Sequence, residues 1–368
     1  MNATDPGRCW AEISRAALRH NAATARRLAG ADAALMAVIK ANGYGHGLSA
    51  VAQALSEEAQ LFGVANLKEA LEARAVVPHP VLIMGPALPA ERAEIARHGF
   101  IPSISSADEA LAFSQIGEGA VVPLNCKIDT GMGRMGIVES DALGTIRSIA
   151  AMPNVSIHSI STHLPSADAD VAYTREQLSR FAQLLARIHS EVPGAYVVHA
   201  LPSAGVMLFA ESSYNIVRAG LMLYGVSPVR EQQHLLRPAM TLKARVALVR
   251  SLPAGSSISY GRTFVTKRPS RIATLSIGYA DDLPRAVSGR DAAVLIRGQR
   301  CPVVGRITMD LTTADVTDVA GVEAGDEVVV IGRQGDEEIT AFEVADRAST
   351  IPWEIFARIG SRVTRVYV

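Results

Sequence analysis

Residues 33–47, AALMAVIKANGYGHG, combine an apolar run with a glycine-rich segment. The run from Ala33 to Ile39 ends at Lys40, and three glycines follow before the stretch closes. A short apolar run bounded by glycines predicts a buried strand that leads into a loop. Burial at such a strand end disfavours the charged form of a lysine, which favours an amine nucleophile. The alternative is a lysine whose long stem lets its ammonium group reach water.

Similar apolar runs recur along the first two thirds of the chain, with helical patterns between them. Together with residues 33–39, the predicted strands are Leu61–Ala65, Val81–Gly85, Phe100–Ile104, Val121–Ile128, Ile157–Ser161, Val197–Leu201 and Asn215–Arg218. Eight strands that alternate with helices predict an α/β fold, a parallel sheet closed into a TIM-like (β/α)8 barrel. An open, doubly wound sheet is the alternative.

The sequence changes character near residues 226–238, where helical periodicity is lost and turn-rich β patterns begin. We therefore predict a barrel domain over residues 1–232 and a mostly β domain over residues 233–368. The strands expected there are Leu242–Val249, Ile272–Ile277, Ala293–Arg297, Val303–Ile307 and Glu327–Ile331, and the helices are Phe342–Thr350 and Trp353–Arg358. We expect the terminal VTRVYV to pair with a strand at Trp10–Ile13, so that roughly the first 12 residues join the β domain.

Composition excludes several classes of function. The chain has 368 residues, of which 20% are charged, and its formal net charge is +0. This balance gives no electrostatic footprint for nucleic acid or for an anionic membrane. No apolar run approaches the roughly 20 residues of a membrane span, and no signal peptide is visible, so we expect a cytoplasmic protein. Three scattered cysteines, without paired Cys/His spacing, predict free thiols and no metal site.

Polar side chains follow several of the predicted barrel strands. They are Lys40, Lys127, Asp129, Arg134, His163, Ser203 and Arg218. Each alone is typical of a solvated loop, but in a barrel these positions share the rim where active sites are built. The small residues at 203–205 and 219–221 also allow backbone N–H groups to approach a phosphate closely. The sequence therefore predicts an anion-binding site at this rim.

Five segments resemble the sequences of alanine racemases. VIKANGYGHG, residues 38–47, resembles the cofactor-lysine signature of that family. Further similar segments are DTGMGRMG at 129–136, SYGRTF at 259–264, GYAD at 278–281 and GRITMD at 305–310. The resemblance implies pyridoxal 5′-phosphate (PLP) held by Lys40 as a Schiff base. It also implies interconversion of L- and D-alanine, with D-alanine supplied for peptidoglycan.

The resemblance implies a role for each matching residue. Lys40 is the base on the D-alanine face and Tyr260 the base on the L-alanine face, while Arg134 and Met309 contact the substrate. The residues implied at the cofactor are Tyr44, His163, Ser203, Arg218, Gly220, Leu221 and Trp353, and the supporting residues are Lys127, Tyr279 and Asp310. The lysine at position 127 is often carbamylated in the family. Tyr260 and Met309 are implied to come from a partner subunit, hence a homodimer with shared active sites.

The chain departs from the family pattern at several positions. Trp353 replaces the usual tyrosine, Pro202 a common asparagine, Ala219 a common proline and Asp282 a glycine. An indole N–H can donate one hydrogen bond but cannot accept one, so we expect weaker retention of PLP. Two alternatives stay open: a related PLP-dependent decarboxylase or broad-specificity racemase, and a PLP carrier built on the barrel alone.

Overall fold

The structure, a computed structural model, describes residues 7–30, 32–117, 120–211 and 214–368. The chain divides into two compact units. The barrel unit comprises residues 17–43 and 48–237, and the β unit comprises residues 1–16, 44–47 and 238–368. The four residues 44–47 thus belong to the β unit, although they follow the Lys40 strand closely in sequence.

The first strand, β1 (Cys9–Ile13), belongs to the β unit, and the next nine belong to the barrel unit. The barrel strands are β2 (Ala34–Val38), β3 (Leu61–Val64), β4 (Val81–Pro86), β5 (Ile101–Ile104), β6 (Val122–Asp129), β7 (Ile137–Val138), β8 (Val155–Ser161), β9 (Val197–His199) and β10 (Ile216–Ala219). Parallel pairing runs in the order β10-β2-β3-β4-β5-β6-β8-β9, with the short β7 beside β6. The Arg218 N–H donates to the Leu201 carbonyl at 2.9 Å and brings the two end strands together. The predicted eight-stranded parallel barrel is confirmed, and it is nearly closed.

Apolar side chains from different strands fill the barrel. A buried cluster takes one residue from each of five strands: Met36, Leu61, Leu82, Ile101 and Ile216. Parallel strands that are covered on both faces need such nearly continuous apolar runs. The helices of this part of the chain are Arg15–Ala29, Leu48–Ala54, Leu67–Arg74, Arg92–Arg97, Ala107–Ile116, Ala142–Ala150, Val171–Glu191 and Ser203–Leu208. Among the helices in the described ranges, none is both long and apolar enough to cross a lipid bilayer.

The β unit contains mostly antiparallel strands. They are β11 (Met240–Leu252), β12 (Ser257–Ile258), β13 (Phe264–Val265), β14 (Ser270–Leu275), β15 (Ala293–Ile296), β16 (Gln299–Pro302), β17 (Thr312–Asp315), β18 (Glu327–Gln334), β19 (Glu337–Ile339) and β20 (Thr364–Tyr367). Its helices are Ala341–Ala348 and Pro352–Ala357. Strand β1 pairs with β11 and, in parallel, with β20. The expected pairing of the two ends of the chain is therefore confirmed.

The strand predicted at Val303–Ile307 is wrong. The strand of this region lies earlier, at β16, and pairs with β15 through a tight turn at Arg297 and Gly298. Both turn residues have positive φ, 52° and 75°, as a two-residue hairpin turn requires. Within residues 303–307, Val303 forms an isolated antiparallel bridge with Ala314. Gly305, at φ 74°, interrupts the extended backbone after it.

Candidate active site

Lys40 lies just beyond the C-terminal end of β2, and a left-handed helical turn follows it. Residues 41–44 all have φ between 50° and 60°. A left-handed turn costs roughly 1–2 kcal/mol for each residue with a side chain, so it persists only where its surroundings stabilise it. The sequence predicts a loop at this point but not its handedness. Strained backbone of this kind is found preferentially at functional sites.

Short hydrogen bonds hold this turn in place. The Gly43 N–H donates to the Ile39 carbonyl at 2.7 Å. The Asn42 side-chain oxygen accepts the Leu48 N–H at 3.0 Å, which ties the turn to the start of the next helix. Glycine suits position 43, because a Cβ there would lie 3.2 Å from a methyl group of Val51. The direction in which Lys40 leaves its strand is therefore fixed by the backbone on its C-terminal side.

Lys40 belongs to a group of basic side chains. Burial lowers the pKa of the Lys40 amine from its usual 10.5, the charge of Arg134 lowers it further, and Glu69 opposes this change. Burial lowers the pKa of Lys127 in β6 to about 7, and the charges of Arg218 and Arg134 add to the effect. Because like charges disfavour protonation, both lysines hold a larger share of neutral amine than free lysine does.

Arg134 lies on a loop that a single carboxylate organises. Asp129, at the end of β6, accepts the N–H groups of Gly131, Met132 and Gly133 at 2.8–2.9 Å. Burial tends to raise the pKa of Asp129, but these three donors outweigh it and hold the pKa below its usual 3.8. Arg134 itself is exposed and makes no hydrogen bond to the described residues, so its guanidinium is available to a ligand.

Arg218 is buried at the end of β10 and binds groups at the ends of β8 and β9. Its Nη1 donates to Nδ1 and the carbonyl of His199, each at 2.7 Å. Its Nη2 donates to the carbonyls of Thr162 and Ala200 at 2.8 Å and to Nδ1 of His163 at 3.1 Å. Five acceptors thus fix the plane of one guanidinium. His199 was missed by the sequence analysis, because it lies within an apolar strand.

These contacts settle the charges of the three side chains. Burial lowers the pKa of Arg218 to about 10, so it remains a cation at neutral pH. Burial and the Arg218 charge lower the pKa of His163 to about 2 and that of His199 well below its usual 6.5. Since arginine can only donate, each neutral imidazole accepts at Nδ1 and carries its proton on Nε2. The His199 Nε2 is buried and finds no partner among the described residues.

Ser203 and the segment after β10 gather hydrogen-bonding groups. The buried Ser203 hydroxyl accepts the N–H groups of Gly220 at 2.9 Å and Met222 at 3.3 Å, and Leu221 between them is buried. A hydroxyl beside backbone N–H groups is the arrangement predicted for an anion. Pro202 lacks an N–H and contributes no donor of its own.

The β unit carries the other predicted site residues. Tyr260, Met309 and Tyr279 are exposed, with 71%, 54% and 37% of their surface accessible. The bend at Tyr260 is fixed by Ser259 at φ 59°, whose hydroxyl donates to the Arg306 carbonyl at 2.5 Å. Backbone hydrogen bonds of 2.9–3.0 Å join the segment that carries Tyr279 to the segment that carries Met309.

The remaining predicted site residues are held by ion pairs or are at least partly buried. Asp310 pairs with Arg362 at 2.8 Å, and Arg362 also contacts Asp281 at 3.3 Å. Tyr44 is buried, which raises its pKa to about 12. Trp353 is the second residue of the helix Pro352–Ala357 and is half-buried.

The departure at Asp282 has a structural reason. This residue adopts φ 70°, a conformation that favours glycine and that aspartate tolerates better than most residues. Its carboxylate accepts the Gly360 N–H at 2.6 Å, which compensates for the strain. In the part of the chain that the structure describes, no group of three or more His, Cys, Asp or Glu side chains could hold a metal ion.

Comparisons with known proteins identify relatives along the whole chain. The family profile of the alanine racemase N-terminal domain matches residues 13–228, and that of the alanine racemase C-terminal domain matches residues 239–367. The alanine racemase of Symbiobacterium thermophilum is 42% identical over 365 residues, covering 97% of this chain and 96% of that protein. Alanine racemase from D-cycloserine producing Streptomyces lavendulae has a TM-score of 0.91 at 36% identity, covering 99% and 98% of the two chains. Alanine racemase from Bartonella henselae, solved with covalently bound pyridoxal phosphate, has a TM-score of 0.89 at 29% identity, covering 99% and 100%.

Proposed function

This chain belongs to the alanine racemase family, and on that premise we propose that Lys40 and Tyr260 move the α-proton of its substrate. The chain is a PLP-dependent enzyme that interconverts L-alanine and D-alanine. PLP, when bound, makes the α-proton of an amino acid acidic by withdrawing electron density from the α-carbon. The residues of the chain must then remove a proton from one face of that carbon and deliver one to the other.

The barrel residues fit this cofactor. A lysine amine whose pKa is lowered by burial and by the charge of Arg134, and which interacts with Lys127, is the single observation that carries the assignment of Lys40 as the attachment point. The Ser203 hydroxyl, whose oxygen accepts the N–H groups of Gly220 and Met222, keeps its own O–H to donate to the phosphate, and Gly220 and Leu221 are assigned beside it. We assign Tyr44 and Trp353 as further phosphate contacts by resemblance to the family.

Arg218 suits the ring nitrogen of the cofactor. Its guanidinium is a cation fixed by two neutral histidines and three carbonyl oxygens. A fixed cation disfavours protonation of a neighbouring nitrogen, whereas a carboxylate would favour it. The chain therefore limits electron withdrawal by the ring and favours return of the proton to the α-carbon.

The two bases work from opposite faces in this proposal. Lys40 Nζ holds or releases the proton on the D-alanine face, where its lowered pKa provides neutral amine. Tyr260 Oη does so on the L-alanine face. A phenol with a pKa near 10 is a poor base unless its anion is stabilised, and His163, held by Arg218, is assigned to that task. Arg134 is assigned to the substrate carboxylate, because its planar fork matches that group.

We further propose a homodimer in which each site combines Lys40 of one subunit with Tyr260 and Met309 of the other. The high exposure of Tyr260 and Met309 supports this, because aromatic side chains and methionine are enriched where partners meet. Tyr279 and Asp310, on the same joined segments, are assigned as supporting residues.

Subunit complementation tests the shared site. Lys40→Ala and Tyr260→Phe chains should each be inactive alone, since each lacks one base. After mixing and subunit exchange, half of the dimers are mixed, and each mixed dimer has one intact site. Activity should then return to about a quarter of that of the unchanged enzyme. Lys40→Ala mixed with Lys40→Met is the control and should stay inactive. No recovery in the first mixture would refute sites shared between subunits.

We also propose that the enzyme acts in the cytoplasm and supplies D-alanine for peptidoglycan. Cys9, Cys126 and Cys301 are buried free thiols, which suits a reducing compartment. The test is whether cells that lack this enzyme need external D-alanine to grow. Growth without added D-alanine would contradict the biosynthetic role.

A further inference from the structure

Glu69 connects the turn after Lys40 to the neighbouring strand and helix of the barrel. Its Oε1 accepts the N–H of Ala41 at 2.7 Å and that of Asn42 at 3.4 Å. Its Oε2 accepts the N–H of Ala65, just after β3, at 2.8 Å. One carboxylate thus bridges two successive strand ends of the barrel.

Hydrogen bonds hold the backbone on both sides of Lys40. The preceding residue, Ile39, donates its N–H to the Gly63 carbonyl of β3 at 2.9 Å. The following residue, Ala41, donates to Glu69. Both partners belong to the same β3–helix segment, so Lys40 cannot shift along its strand without breaking one of these bonds. The left-handed turn keeps its strained conformation under the same constraint.

Glu109 provides a natural comparison in a later strand–helix segment of the barrel. It too stands in the first turn of a helix, where its Oε2 accepts the Ser105 N–H at 2.7 Å. Its own N–H donates to the Ser106 hydroxyl, as that of Glu69 does to the Asn66 side chain. In the described chain Glu109 makes no second bond to another strand end. Capping of the helix is therefore common to both residues, and the bond to the Lys40 turn is particular to Glu69.

The charge of Glu69 also affects the pKa of Lys40. Arg134 and Lys127 are the cations that interact with Lys40, and His163 nearby is neutral. Glu69 is the carboxylate that raises the pKa of Lys40 against burial and Arg134.

We propose that Glu69 is a positioning residue for racemisation, which holds the left-handed turn so that the Lys40 amine stays at the barrel rim. This proposal rests on the proposed role of Lys40. The residue acts through the backbone of Ala41 and through its charge, without contact to substrate or cofactor.

The test compares Glu69→Gln with Glu109→Gln. An amide keeps one acceptor oxygen and replaces the other by a donor, so Glu69→Gln leaves either Ala41 or Ala65 without its acceptor. The first measurement is the pH midpoint for modification of Lys40 in the full-length apoprotein by trinitrobenzenesulfonate, followed by peptide mass spectrometry. The second is the rate at which the holoenzyme releases PLP.

We expect Glu69→Gln to shift the modification midpoint to lower pH and to release PLP about tenfold faster, the size of one lost hydrogen bond to a charged group. Glu109→Gln should change neither reading. Equal changes in both variants, or readings for Glu69→Gln that match the unchanged protein, would overturn the proposal. If the unchanged protein failed to take up PLP at Lys40, the proposed function would fail. The pH midpoint for modification of Lys40 in the apoprotein would still test the role of Glu69.

Glu69→Asp serves if Glu69→Gln does not fold. Aspartate keeps the charge but is one methylene shorter, so it cannot span both strand ends. Its midpoint should stay near that of the unchanged protein while PLP is released faster. Retention of PLP equal to that of the unchanged protein would overturn the positioning role.

Discussion

Replacement of Lys127 by methionine should remove much of the pH dependence of folding stability near neutral pH. Lys127 lies in β6, and burial together with the charges of Arg218 and Arg134 lowers its pKa from 10.5 to about 7. Methionine has a similar length and no charge, so it tests the cost of charging the amine with little change in packing.

The magnitude follows from the difference between the two pKa values. A difference of about 3.5 makes protonation roughly 5 kcal/mol less favourable in the folded chain than in the unfolded one. Between pH 7 and pH 10 the unfolded chain keeps this proton and the folded chain has largely lost it, so stability rises with pH. From pH 7 to pH 9 this one group should add about 2 kcal/mol to the free energy of unfolding.

Urea unfolding of the apoprotein at pH 7 and pH 9 measures this difference. Buffers free of CO2 are needed, because a neutral amine can form a carbamate and would then carry a negative charge. The free energy of unfolding of the unchanged chain should rise by about 2 kcal/mol more than that of Lys127→Met over this interval. Lys68→Met, at an exposed lysine of the helix Leu67–Arg74, is the control and should keep the pH dependence. Equal slopes for Lys127→Met and the unchanged chain would refute the reasoning.

Two further substitutions test the cofactor contacts. Arg218→Glu should raise pyruvate formation relative to racemisation at least several-fold, because a carboxylate favours protonation of the ring nitrogen; a ratio unchanged in a coupled lactate dehydrogenase assay would contradict this. Trp353→Tyr should bind PLP several-fold more tightly, because a phenol can both donate and accept a hydrogen bond; equal dissociation constants in equilibrium dialysis would exclude that role for the indole.

Much of the fold could be predicted because its elements are local. The apolar runs of the barrel are bounded by glycine, proline and helical patterns, and each of the eight forms a strand within a few residues of its predicted bounds. The run at 303–307 was misplaced because its composition suits a strand, while positive φ at Gly305 and the hairpin turn at Arg297 prevent one. Short strands such as β12, β13 and β19 were missed, since two or three residues give no periodicity.

Some residues of the candidate site could likewise be predicted from the sequence, and others could not. Residues at strand ends, such as Lys40, Lys127 and Arg218, could be found because a parallel barrel places all its strand ends on one rim. His199 and Glu69 could not, because one lies in an apolar strand and the other is a normal residue for the first turn of a helix. Their roles depend on partners far away in sequence, 19 residues from His199 to Arg218 and 28 from Glu69 to Ala41.

The sequence by itself determined the strand–helix alternation and the change to β structure after the barrel, and it supplied the candidates for the reactive groups. These depend on side-chain polarity and on turn residues, which act over a few neighbours. Only the tertiary structure decided the charges of Lys127, His163 and His199 and the left-handed path after Lys40. Charge in a buried site depends on lost water and on cations brought from other strands, and a strained turn depends on distant hydrogen bonds that hold it.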